Sequence, residues 1–354
     1  AAFTVLPPPA RDGRAAHLAR LSAIQDSARF TLVLTDADGD DLAGIAPVRP
    51  LSTVDLQARV AEPHDIVWPR PDDLAVLQYT SGSTSTPRGV PVTHANLAAN
   101  LDAMEAVVGA DALDPATARW MSWLPLYHDM GLIGFLSLPM TRGCPLVLQT
   151  PVSFALRPAT WLERLSRHRA TCTGGPNFAY AMLAQLLEAG ADADLSSVRL
   201  MFSGGEPIDA AMMARFTAAG ARHGLDPRAV VAAYGLAEST LAVSFSPIGE
   251  GIRADRDGRV RVGRAVPGTQ LRITDGQVEV RGPSVVSGYW GEPARSSEWL
   301  RTGDLGYLID GELVICGRAK DVLFAAGRNV YPQDVEAAAA RVPGVRPGGA
   351  AAFG

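Results

Sequence analysis

From residue 145 to residue 233 the chain alternates short apolar runs with amphipathic segments, and this alternation limits its fold more than any other feature. Residues 145–149, 198–202 and 229–233 read as strands, while 158–168 and 207–221 between them read as helices. A strand–helix–strand succession of this kind requires a largely parallel sheet covered by helices. Upstream, 14–27 places Leu18, Leu21 and Ile24 at near-helical spacing, and 30–34 is a β-rich run ended by the turn-forming Asp and Gly residues of 36–40. The proline-bearing stretch 36–73 reads as connection. A strand at 74–79 comes next, then Thr93 as the N-cap of a helix with Leu97, Leu101, Met104 and Val108 on one face. From about residue 248 the texture changes. Residues 260–262, 270–273, 278–280 and 312–316 are short, partly alternating strands split by Gly, Pro and Asp, which implies a small barrel-like β subdomain. A helix over 333–341 follows.

The strand at 74–79 feeds directly into Thr80-Ser81-Gly82-Ser83-Thr84, and Arg88 closes the stretch. A loop of hydroxyl residues and glycine exposes backbone N–H groups and hydroxyl donors with little side-chain bulk, which is what a polyphosphate needs. The loop is not a Walker motif, because no Gly-Lys-Ser or Gly-Lys-Thr occurs in the chain. Glycine-rich loops also follow the strands near 203–205 and 234–235. Ligands of open α/β sheets collect at such strand ends.

Composition narrows the function classes. The 354 residues suffice for about two domains. The net charge of −5 argues against a broad nucleic-acid surface. No run of about twenty apolar residues is present to anchor the chain in a membrane. The N-terminus lacks the basic region of a signal peptide. Cys144, Cys172 and Cys316 lie far apart, fitting reduced thiols in a cytoplasmic protein better than a disulfide framework or a zinc site.

Five stretches in order resemble the adenylate-forming superfamily of acyl-CoA synthetases, nonribosomal adenylation domains and luciferases. They are Tyr79–Val90, Trp123–Gly131, Phe202–Pro207, Tyr234–Thr240 and the pair Arg301–Asp304 with Gly317–Asp321. The resemblance implies that Thr80, Ser81, Gly82, Ser83, Thr84 and Arg88 hold the ATP phosphates, with Arg88 standing where the family usually has Lys. It implies that Tyr234 and Gly235 border adenine together with Gly204, Gly205 and Glu206, and that Asp304 and Arg318 hold the ribose. Glu238 would help to hold Mg²⁺, a hard cation that takes oxygen ligands. His128 would meet the carboxylate or α-phosphate; outside such a motif a His beside Tyr and Asp is often a structural hydrogen-bonder. Tyr127, Met130, Gly131, Gly174, Gly175, Asn177, Phe178 and Ala237 would line the acyl side, with Ala237 replacing a more usual Thr. A packing turn at Gly174-Gly175 is the plainer alternative.

Trp123–Gly134, Gly175–Tyr180 and Tyr234–Leu241 look most like the fatty acyl-AMP ligases, which make acyl-adenylates for acyl carrier proteins or polyketide synthases. No residue corresponds clearly to the Asp that pairs an amino-acid substrate's ammonium, so a plain carboxylic acid is favoured. The stretch from Phe245 to Arg264 is too short for the insertion those ligases carry, which leaves CoA open as acceptor. The expected layout is α/β subdomains over 1–247, a β-rich subdomain over 248–319, and over 320–354 a hinge at Lys320 and Asp321 with the start of a smaller domain. The family's adenylating lysine has no counterpart here. The sequence therefore reads as a truncated core that binds ATP or acyl-AMP and adenylates weakly. Two alternatives remain at this stage: an acyl-CoA ligase, and a relative that only binds and transfers a preformed acyl-AMP.

Overall fold

A computed structural model describes residues 13–30, 32–35, 49–52, 68–80, 87–325, 328–339, 342, 344–345 and 350–353. Two compact units divide the chain: Ala1–Leu97 with Val286–Ser296, and Ala98–Val285 with Ser297–Gly354.

In the first unit the helix Arg14–Ala28 buries Leu21 and Ile24 and ends at Arg29 in the left-handed region. Strand β1 (Leu32–Thr35) pairs in parallel with β2 (Arg49–Ser52). The second of these lies in the stretch that the sequence presents as connection. Strand β3 (Leu74–Thr80) pairs antiparallel with β4 (Arg88–Thr93), in a register that sets Tyr79 opposite Gly89 and Thr80 opposite Arg88. The hydroxyl-rich loop is thus flanked by the two arms of a hairpin, and a strand separates it from the helix that follows. Val90 and Val92 alternate into the core and specify the extra strand. Thr93 caps the helix His94–Val108 reciprocally. Its hydroxyl accepts from Asn96 N at 3.1 Å, and its own N–H donates to Asn96 Oδ1 at 3.1 Å.

The second unit is built on one eleven-stranded sheet. Its parallel part runs β6 (Leu146–Leu148), β5 (Trp120–Ser122), β7 (Cys172–Gly175), β8 (Leu200–Ser203) and β9 (Val230–Gly235). β10 (Ala242–Phe245) turns the ladder antiparallel. It continues through β11 (Arg261–Ala265), β15 (Glu312–Arg318), β14 (Leu300–Ile309), β13 (Gln277–Arg281) and β12 (Gln270–Thr274). Helices Ala159–His168 and Ala210–Ala221 lie where the sequence places them, the latter capped by Asp209 Oδ1 accepting from Ala211 N and Met212 N. Ala232, Val243, Val262, Val278, Val280 and Leu313 form one apolar cluster across the parallel and antiparallel parts of the sheet. That shared core fixes the C-terminal end of β9 relative to β14 and β15.

Candidate nucleotide and acid site

The end of β9 and the β14–β15 ladder bring three expected residues together. Asp304 and Arg318 are register partners across β14 and β15. The Tyr234 hydroxyl donates to Asp304 Oδ2 at 2.6 Å, and Arg318 Nε lies 3.2 Å from Asp304 Oδ1. Asp304 is only 6% exposed. Burial raises its carboxyl above the ordinary value; the Tyr234 hydrogen bond and the Arg318 charge oppose that rise, and the Glu238 charge adds to it. Burial and Asp304 likewise push the Tyr234 phenol well up, so it stays a donor. A carboxylate keeps lone pairs beyond these two contacts, and those can accept from a vicinal diol.

Glu238 sits half-buried in the 3₁₀ turn Ala237–Ser239 that leaves β9. The turn is closed at its base: Leu236 N donates to Leu241 O at 3.0 Å, and Ser239 N to Leu236 O at 3.0 Å. Thr240 holds φ at 66°, unusual for a β-branched residue, and its buried hydroxyl donates to Ser284 O at 2.7 Å. Gly235 makes the turn possible, because a Cβ there would lie 1.9 Å from the Leu241 carbonyl oxygen. Ala237 is buried beside Glu238. Among the described residues no group of three or more His, Cys, Asp or Glu could by itself hold a metal. One carboxylate suits Mg²⁺ that keeps phosphate oxygens and water as its other ligands.

His128 Nδ1 is 2.6 Å from Asp129 Oδ1, and Asp129 Oδ1 also accepts from Met130 N at 2.7 Å. The Asp thereby starts a helix of wide, π-type turns, Met130–Ser137, which buries Met130 and Gly131. Such turns are rare and recur at functional sites. With its proton on Nδ1 toward Asp129, His128, whose side chain is 55% exposed, would keep Nε2 for a ligand. Hydrogen bonding to Asp129 raises the His128 pKa above its ordinary value, burial opposing. The pair's stabilisation is therefore complete below about pH 6.5 and is lost as pH rises through the folded value. Asp129→Asn is expected to lower the His128 pKa in an NMR titration of the imidazole; an unchanged pKa would remove Asp129 from this role.

Gly174 and Gly175 are the buried end of β7. A Cβ on Gly174 would stand 2.5 Å from Phe135 Cζ and 2.8 Å from Phe202 O, so the Phe135 ring occupies the space the glycine leaves. Trp123 stacks on Phe154 with ring centres 3.7 Å apart and meets Phe178 edge-on. Asn177 and Phe178 open the helix Asn177–Glu188. Glu206 occupies that helix start, its carboxylate accepting from Phe178 N at 2.6 Å, where the N-terminal dipole favours an anion. Asn177 Oδ1 accepts from Asp209 N at 3.0 Å. Gly204 is buried beside Ala233 O, Gly205 takes φ of 81°, and Tyr127 is half-buried with its phenol pushed up by burial.

Ser81, Gly82, Ser83 and Thr84 fall outside the described residues; Thr80 and Arg88 flank them as register partners. Lys320 and Asp321 are exposed in the 3₁₀ turn Ala319–Asp321 that follows β15. Asp129, Thr240 and Phe135 are contributors that sequence reasoning did not single out. Asp129 was visible only as the neighbour of His128, and the other two owe their roles to contacts remote in sequence.

The family described as AMP-binding enzyme matches residues 10–290. A long-chain-fatty-acid–AMP ligase of Mycolicibacterium smegmatis is 35% identical over 414 residues, covering 95% of this chain and 64% of the relative. A medium-chain-fatty-acid–acyl-carrier-protein ligase of Moorena producens is 37% identical over 323 residues, covering 76% of this chain and 54% of the relative. A structure from studies of fatty acyl-adenylate ligases of E. coli and L. pneumophila matches with a TM-score of 0.88 at 32% identity, over 97% of this chain and 69% of that one. The chain spans 54–67% of the length of the curated relatives it matches.

Proposed function

The chain belongs to the AMP-binding enzyme family, and on that premise we propose that it activates a carboxylic acid with ATP and passes the acyl group to a thiol. The observation that carries this reading is the Tyr234–Asp304–Arg318 network beside the Glu238 turn. It is a nucleoside clamp next to a single carboxylate suited to a phosphate-bound cation. A carboxylate oxygen attacks the α-phosphorus, the bond to the β-phosphate oxygen breaks, and pyrophosphate leaves with that electron pair. The product is acyl-AMP. In the second half-reaction a thiol sulfur attacks the acyl carbon, AMP departs with the bonding electrons, and the thiol proton is lost to solvent.

Tyr234, Gly235, Gly204, Gly205 and Glu206 border adenine in this reading, and Asp304 and Arg318 take the ribose. His128, as the imidazolium that its contact with Asp129 favours, donates through Nε2 to the acid or α-phosphate. Thr80, Ser81, Gly82, Ser83, Thr84 and Arg88 take the leaving pyrophosphate. Glu238 would hold Mg²⁺, which would supply charge neutralisation on the phosphates. The binding groups act by position and electrostatics. Tyr127, Met130, Gly131, Gly174, Gly175, Asn177, Phe178 and Ala237 face a fatty or polyketide-related acid, and the thiol belongs to an acyl carrier protein or polyketide synthase. The names of the similar fatty-acid ligases support this choice. The layout 1–247, 248–319 and 320–354, with the hinge at Lys320 and Asp321, is the proposed division of labour. No helix among the described residues is long and apolar enough to cross a membrane. The free thiols of Cys144, Cys172 and Cys316 agree with a reducing, cytoplasmic setting.

The test offers the chain Mg²⁺, ATP and a series of fatty acids, with acyl-AMP identified by mass. Supplied acyl-AMP is then challenged with carrier protein and CoA in competition. Acyl-AMP formation followed by loading of the carrier is expected. Binding and transfer of supplied acyl-AMP without its formation would instead mark a transfer-only relative, and CoA outcompeting the carrier would mark a CoA ligase.

A further inference from the structure

Arg88 opens β4, and Glu292 lies in the Val286–Ser296 segment of the same unit. The guanidinium grips the carboxylate with two prongs: Nη2 is 2.9 Å from Oε1 and 2.7 Å from Oε2, and Nε is 3.2 Å from Oε1. The guanidinium carbon lies 3.5 Å from the centre of the Tyr289 ring. The segment is fastened to β4 next door, where Trp290 N donates to Gly89 O at 2.8 Å. Its indole N–H also reaches Ser27 O at 3.3 Å. A planar fork can stack on a ring and grip a carboxylate at once, which a lysine ammonium cannot. This arrangement gives a physical use to the arginine found where the family usually carries lysine.

The side chains of Arg88 and Glu292 are 40% and 48% exposed. Water competes for such a pair, which therefore holds only weakly. A carboxylate and a phosphoryl group present the same pair of oxygens to the fork, and the phosphoryl group carries more charge. Arg88 is also the register partner of Thr80 at the base of the phosphate loop. We propose that Glu292 is a built-in competitor for phosphate. It parks the Arg88 fork on Tyr289 between turnovers, surrenders it to pyrophosphate or to the ATP tail, and reclaims it as pyrophosphate leaves. The proposal rests on the reading of Arg88 as a phosphate contact.

Calorimetric titration of the 354-residue chain with magnesium pyrophosphate tests this in four forms: parent, Glu292→Gln, Arg88→Ala and the double variant. Glu292→Gln is expected to tighten pyrophosphate about 2- to 5-fold, the equivalent of an exposed ion pair. Arg88→Ala is expected to weaken it, and Glu292→Gln is expected to change nothing once Arg88 is gone. Added salt should shrink the gain. A weaker or unchanged affinity in Glu292→Gln while Arg88→Ala loses affinity overturns the competitor role alone. If Arg88→Ala binds like the parent, the phosphate reading of Arg88 fails and the proposal goes with it. Thermal unfolding of Glu292→Gln at parental temperature shows that the change acts on binding.

Discussion

Asp304→Asn should cost nucleotide affinity without costing stability. The asparagine keeps the shape but loses the charge that Tyr234 and Arg318 address and that a ribose diol would meet. Hydrogen bonds to a charged acceptor are worth about 1.5–3 kcal/mol, so a loss of about 10- to 100-fold is expected. The loss should be equal for ATP and acyl-AMP, since both carry the same nucleoside. Stability should run the other way. Burial outweighs the partners and leaves the Asp304 carboxyl above its ordinary value. A group raised in this way contributes its stability below its unfolded value, about 3.9, and loses it as pH rises through the folded value. At neutral pH the buried charge is therefore a net cost that the asparagine removes. Unfolding midpoints at pH 7.5 should match or exceed those of the parent while calorimetry records the weaker binding. Parental nucleotide affinity in this variant would take Asp304 out of the nucleoside site.

Much of this site is legible in the sequence one residue at a time. Tyr234, Glu238, Asp304 and Arg318 each stand in a short motif: Tyr234 and Arg318 near the ends of β9 and β15, Glu238 in the turn after β9, and Asp304 within β14. Their pairing is a different matter. The contact between Tyr234 and Asp304 spans 70 residues and depends on the register of β14 against β15, which no local pattern encodes. Glu206 shows the limit more sharply. Its motif marks it for the adenine border, and no local pattern announces that its carboxylate also closes the start of a helix 28 residues earlier.

Among the elements, the strands near 145–149, 198–202 and 229–233 are readable because apolar residues crowd them between clear helices. β5 and β7 are not, since Trp120-Met121-Ser122 and Cys172-Thr173-Gly174-Gly175 are short and lack alternation, as befits strands buried on both faces. β4 is disguised by Pro91, which is tolerated opposite Leu77 in a two-stranded ladder where one side of the strand needs no partner. Glu292 was invisible for the same reason of distance, standing 204 residues from Arg88.

Gly235→Ala is the substitution expected to disturb both fold and chemistry most. The added Cβ would lie 1.9 Å from the Leu241 carbonyl oxygen and 2.8 Å from its carbon. Both are backbone atoms, so no rotamer change relieves the clash. Leu241 O is also the acceptor of Leu236 N, so moving it opens the base of the turn that carries Glu238. A steric defect of this kind belongs to the large class of destabilising changes, about 4 kcal/mol, or roughly 10 °C in unfolding midpoint. Gly205→Ala provides the control: its φ of 81° makes a side chain strained, yet nothing lies within 4 Å of the added Cβ. That variant should lose only about 1 kcal/mol. Magnesium-dependent ATP binding, measured at a temperature where both variants remain folded, should fall in Gly235→Ala beyond what the shared adenine contact explains. Magnesium-independent AMP binding should fall less, because Asp304 and Arg318 are held by a different pair of strands. Equal losses of AMP and magnesium–ATP would show that the turn positions the nucleoside rather than a cation ligand, and Glu238 would lose its assignment.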